Sequence, residues 1–105
     1  MNNHFGLKIR ALREHSKLYL RQVAPLLEMD IAQLSKIEKG RRQMKREQIS
    51  LLADLYKIDK AELETLWLAD QILEVVKNSS SALQAISAAE SQIKIISKKH
   101  RLRTK

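Results

Sequence analysis

With 105 residues the chain can hold one small domain, or one plus an extension. Two Gly, one Pro and no stretch of apolar–polar alternation exclude a sheet-based fold, and the absence of Cys excludes disulfide staples, thiolate metal sites and a thiol nucleophile. Twenty Lys and Arg against twelve Asp and Glu, a formal charge of +8, favour a polyanionic partner.

The charge is uneven. Residues 1–59 carry a net +5, residues 60–78 a net −2 and residues 79–105 a net +5. An electrostatic binding surface is therefore expected on the flanking segments and not on the middle one. His4, His15 and His100 are scattered and read as solvated surface residues, so no metal is expected. No signal peptide is evident, and no apolar run approaches the roughly 20 residues that span a bilayer. A cytoplasmic protein with no membrane association is the expectation.

In chain order, a first helix is predicted from His4 or Phe5 to His15 or Ser16, with Phe5, Ile9, Leu12 and Leu18 toward the core. Arg13 falls beside that face, where a buried cation needs a partner. A second helix is predicted over about residues 20–27, from the apolar set Val23, Ala24 and Leu27. Tyr19 is a poor N-cap for it. Pro25 removes a backbone donor within it and should shorten or kink it. If the turn needs a positive φ at residue 28, Glu28 is strained there.

Asp30 is a good N-cap for a third helix, with Leu34 and Ile37 as its core face and Gly40 as its stop. Lys39-Gly-Arg-Arg-Gln-Met-Lys-Arg46 follows. From Lys36 to Arg46 there are six basic residues and one acidic. A fourth helix is predicted over about residues 46–56, with Ile49, Leu52, Ala53 and Tyr56 inward. Asp59 and Glu62 make a capping-box start for a fifth helix reaching Lys77 or Asn78. Leu63, Leu66, Trp67, Ala69, Leu73 and Val76 line it. After the break Asn78-Ser-Ser-Ser81, the residues Ala82, Leu83, Ile86, Ala89, Ile93 and Ile96 predict an amphipathic helix of about sixteen residues, too short to be stable alone. Lys98 to Lys105 reads as a frayed basic tail.

The stretch QVAPLLEMDIAQLSKIEKG, residues 22–40, resembles the helix-turn-helix of the phage-repressor family (Cro and lambda-repressor-like, also called XRE). The likeness runs from Gly6 to about Leu63. It rests on Gly6, Ile9, Leu12-Arg13, Leu18, Val23-Ala24, Leu34-Ser35, Ile37-Glu38 and Gly40. The longer run VAPLLEMDIAQLSKIEKGRRQMKREQ looks most like small regulators found beside DNA methyltransferases. The resemblance implies an all-α, five-helix DNA-binding domain, here with a lengthened fifth helix and an extra C-terminal amphipathic helix. It implies sequence-specific binding of double-stranded DNA as a homodimer, and transcriptional regulation as a repressor on a palindromic operator.

By that likeness Ile31, Ala32, Ser35 and Lys36 fall at base-facing positions. Lys36 can donate to guanine, and Ile31 and Ala32 can pack on thymine methyls. Arg21, Gln33, Lys39, Arg41, Arg42, Lys45 and Arg46 are the expected phosphate contacts. Arg13 and Glu38 are the expected structural ion pair. The family's Gln at the start of the second helix is Leu20 here, and the family's turn Gly is Glu28. Residues 1–63 form the expected DNA-binding domain, 64–98 a dimerisation extension and 99–105 a basic tail. Trp67, Leu73, Val76, Leu83, Ile86, Ile93 and Ile96 are the expected dimer interface; Trp67 fits the core as well, and the last helix could instead fold back on the fifth helix of its own chain or lie on a membrane.

No nucleophile–base pair, acid–base carboxylate pair or phosphate-binding Gly loop is present, so neither catalysis nor a cofactor is expected. A small-molecule effector is left unspecified. The competing expectation is an interaction module, in which a helix-turn-helix of this descent holds a protein partner, as an antitoxin does, and binds DNA weakly and without sequence preference.

Overall fold

A computed structural model describes residues 3–103, the side chains of 100–103 excepted. Among the described residues all regular structure is helical. The helices are α1 (His4–His15), α2 (Leu20–Val23) continuing as a 3-10 segment (Ala24–Leu27), α3 (Ile31–Glu38), α4 (Arg46–Tyr56), α5 (Lys60–Val76) and α6 (Ala82–Arg103). The all-α class expected from periodicity is what the chain adopts.

The chain divides into two compact units between Glu74 and Val75. That division lies within α5, past the Leu63 at which the first domain is expected to end. Leu63 is fully buried, and Leu66 and Trp67 pack on the same core, so the first half of α5 belongs to the first unit. That core gathers Phe5 and Ile9 from α1, and Val23, Ala24 and Leu27 from the second helix. Leu34 and Ile37 come from α3, Met44 from the loop, and Ile49, Leu52 and Ala53 from α4. Ala69, expected on the inward face of α5, is exposed.

Local chemistry accounts for each boundary. Tyr19 offers no side-chain cap; instead Gln22 Oε1 accepts from the Tyr19 N–H at 2.7 Å. At Pro25 the α-helical ladder cannot continue, and the backbone tightens to the 3-10 form through Leu27. Asp30 caps α3, its Oδ1 accepting from the Gln33 N–H at 2.7 Å. Asp59 Oδ1 accepts from the Ala61 N–H at 3.0 Å. Glu62, expected to complete a box there, lies 3.3 Å from Lys8 Nζ.

Glu28 closes the turn in the left-handed region, at φ 57° and ψ 40°. A β-carbon there costs about 1–2 kcal/mol relative to a right-handed conformation. Glycine has no such cost but loses roughly 0.5–1 kcal/mol of extra chain entropy. Glu28→Gly is therefore expected to raise stability by about 0.5–1 kcal/mol, measured as a higher urea midpoint at unchanged slope.

The second unit is the end of α5, the Ser-rich break and α6. The basic run expected to fray remains helical through Arg103, making α6 22 residues long. Lys and Arg are good helix formers, and cations at a C-terminus suit the helix dipole. Thr104 and Lys105 lie outside the described residues.

Candidate nucleic-acid interface

α3 is set by three contacts made from its rear. Leu34, Ile37 and Glu38 are buried, and the helix packs against α1 and α2. Gly6 allows the close approach of α1: a β-carbon there would stand 2.6 Å from the Glu38 carbonyl oxygen. Asn3 Nδ2 donates to that same oxygen at 2.8 Å.

The third contact is an ion pair. Arg13 Nε donates to Glu38 Oε2 at 2.8 Å and Arg13 Nη2 to Glu38 Oε1 at 2.9 Å. Arg13 Nη1 donates to the Leu18 carbonyl at 3.0 Å, tying the end of α1 to the start of the motif. The pair is nearly dry, at 12% and 5% side-chain exposure. The hydrogen bond to Glu38 raises the Arg13 pKa further, against the effect of burial.

Tyr56 stands close enough to feel both charges. Burial, and secondarily Glu38, push its phenol up to about 12 from 10.0. The folded state thus prefers the neutral phenol. Its contribution is complete below pH 10 and is lost as pH rises through about 12. Tyr56→Phe is expected to flatten the fall in stability over that alkaline window, as read from denaturation midpoints.

The opposite side of α3 faces solvent. At about 100° per residue, Ile31, Ala32, Ser35, Lys36 and Lys39 occupy one sector of about 140°, and the buried residues lie outside it. Ile31, Ala32, Lys36 and Lys39 are exposed and Ser35 is half-buried. Gln33, to the side of that sector, is half-buried.

The helix ends in a Schellman turn at Gly40, with φ +76°. The Gly40 N–H donates to Ile37 O at 3.1 Å and the Arg41 N–H to Lys36 O at 2.8 Å. The chain therefore folds back against the last turn of α3, and Arg41 and Arg42 emerge there, both exposed.

The basic loop is anchored at its other end by residues whose role sequence reasoning missed. Met44 is buried, and its carbonyl accepts from Trp67 Nε1 at 2.8 Å. Gln48 Oε1 accepts from the Lys45 N–H at 3.2 Å, and Gln48 Nε2 donates to Leu27 O at 3.1 Å. Asp70 caps α1, its carboxylate accepting from the N–H groups of His4 and Phe5 at 3.1 and 2.9 Å. One available signal was Met44 itself, a lone large apolar residue in a run of cations. Nothing local in the sequence marks Asp70 as a cap.

Among the described residues no carboxylate pairs with Lys36, Lys39, Arg41, Arg42 or Lys45. Arg46, also expected among the phosphate contacts, is exposed and has partners within its own chain. Its Nη1 lies 3.4 Å from Glu64 Oε1 and its guanidinium 5.1 Å from the Trp67 ring centroid. Arg21 is exposed and stacks over Tyr19, 4.4 Å from the ring centroid.

Of the expected dimer residues, Trp67 is half-buried and donates to the Met44 carbonyl of its own chain. Leu73 and Val76 are half-buried. Leu83, Ile86, Ile93 and Ile96 are exposed, and on α5 so are Leu68, Ile72 and Val75, which spacing alone does not single out. No helix among the described residues is long and apolar enough to cross a membrane.

Two short helical segments meet across a tight turn, the second held from behind, bare in front and followed at once by a cationic loop. That is the geometry of a helix-turn-helix DNA-binding module. The chain belongs to the helix-turn-helix domain family, whose sequence model matches residues 4–66, from the start of α1 into α5. No curated protein and no solved structure matches it significantly.

Proposed function

We propose that the protein is a sequence-specific transcriptional regulator of the phage-repressor kind, binding double-stranded DNA as a homodimer on a palindromic operator. The observation that carries this is the outward sector Ile31–Ala32–Ser35–Lys36 of α3, edged by cations that no carboxylate among the described residues neutralises. In the docking of this motif the second helix enters the major groove and its N-terminal residues meet base edges. Lys36 donates to guanine, and Ile31 and Ala32 meet thymine methyls. Arg21, Gln33, Lys39, Arg41, Arg42 and Lys45 meet phosphates. A dimer places two such helices on half-sites about one helical turn apart. Repression follows where the operator overlaps a promoter.

The apolar side chains bare on α5 and α6 support the dimer. Each large aliphatic residue covered contributes about 1.5–3 kcal/mol. Several from each copy offset an association cost of roughly 4–15 kcal/mol.

One observation favours the interaction-module reading. The base-facing positions hold only one side chain capable of bidentate base recognition, Lys36, beside two alkyl groups and a hydroxyl. Sequence preference separates the two, because non-specific binding is salt-dependent as well. With five cationic phosphate contacts per chain, ten per dimer, log K should fall by roughly 9 per log unit of salt, on the order of a 10⁵-fold loss between 50 and 200 mM. Equal affinity for selected and random duplex at one salt concentration supports the interaction module and contradicts the regulator.

A further inference from the structure

We infer that α6 pairs antiparallel with α6 of a second copy of this chain, Ile86 of one lying beside Ile96 of the other and Ala89 beside Ile93. This rests on the dimeric reading above and supplies it with a surface and a direction. Ala82, Ile86, Ala89, Ile93 and Ile96 recur at spacings of four and three, the seam of a two-helix coil. They fall within a sector of about 80° at 100° per residue. The three isoleucines are bare, at 41%, 60% and 63% exposure. In the stated register the layers between residues 86 and 96 join isoleucine to isoleucine or isoleucine to alanine, and Ala82 falls opposite position 100, a histidine in the sequence.

Charge sets the direction. Lys94, Lys98 and Lys99 are exposed in the C-terminal half, and the sequence adds Arg101 and Arg103; the only acid in α6 is Glu90. A parallel pair sets these cations against their own copies, at an interaxial distance of about 8–10 Å. That is about one screening length, roughly 8 Å at physiological salt. The antiparallel register, centred at residue 91, moves the two Lys99 positions about 24 Å apart along the axis. At about three screening lengths the repulsion is largely gone. Each basic end then lies beside the uncharged segment 79–88 of the second copy, which is Ser, Ala, Leu, Gln and Ile.

The lack of cysteine makes the test clean. Nitroxide labels are placed on the full chain at Gln92→Cys or at Lys99→Cys, both exposed sites beside the seam. Dipolar distances are then measured at a concentration where sedimentation shows a dimer. The antiparallel pair sets the axial offset at about 3 Å for position 92 and about 24 Å for position 99. The expected result is a distance at 99 exceeding that at 92 by at least ~10 Å. Equal short distances at both sites overturn the direction. A dimer with no dipolar coupling at either site places the interface elsewhere, overturning α6 pairing while leaving the dimeric regulator standing. A chain monomeric at tens of micromolar overturns both.

Discussion

Arg13→Met should lower stability by about 3–5 kcal/mol, because it leaves Glu38 charged, buried and without its partner. A chain of this size has about 5–15 kcal/mol in all. The variant is therefore expected to be partly unfolded at 37 °C, with a large fall in urea midpoint. The two parallel bonds at 2.8 and 2.9 Å, and the exposure of only 5% at Glu38, leave no route by which water could replace the guanidinium without opening the α1–α3 contact. Loss of the bond to the Leu18 carbonyl adds to the cost. Arg13→Met with Glu38→Leu should recover most of that loss, since a buried pair exchanged for apolar residues of similar size is often neutral or better. A double-mutant cycle with no coupling contradicts the account of how α3 is held.

Replacing Lys39, Arg41 and Arg42 together by Ala should cut the salt slope of DNA binding by about 2.7 per chain, at about 0.9 for each phosphate no longer neutralised. Binding should weaken by orders of magnitude on every duplex alike. Stability should change little, because all three side chains are exposed and make no ion pair among the described residues. Lys36→Ala should behave differently. It should leave the slope nearly intact and relax preference at one base position, a discrimination of about 1–3 kcal/mol. The contrast follows from position: Lys36 stands within α3 on its exposed sector, whereas Lys39 stands at the helix's C-terminal cap and Arg41 and Arg42 on the loop beyond it. The same contrast would be absent if the basic loop were merely a solvated surface.

The parts of this chain legible in the sequence are those whose cause is local. α1 and α4 follow from apolar residues at helical spacing, and α3 from Asp30 at its head and Gly40 at its end. Pro25 reports the change to a 3-10 helix, and Glu28 takes the left-handed turn for which the sequence offers no glycine. The Arg13–Glu38 contact has a local logic too, a charge beside an apolar stripe that demands an opposite one.

What escaped the sequence is set by distant partners. Asp70 caps a helix 65 residues earlier in the chain, Trp67 closes on the carbonyl of Met44, and Asn3 reaches the end of α3. None of these side chains belongs to a local pattern. Trp67 reads as core or interface, because a large aromatic on a long helix fits either role equally well. The basic run after residue 97 reads as a tail when charge density is weighed above the helix propensity of Lys and Arg.

The most direct measurement is selection of bound duplexes from a random-sequence pool by the intact protein and by Lys36→Ala. The account predicts that the intact protein enriches one palindromic sequence, its half-sites about one turn apart, and that Lys36→Ala blurs a symmetry-related pair of positions within it. Recovery of unselected sequence by both proteins, or of the same motif undiminished, would contradict the claim that the outer face of α3 reads DNA.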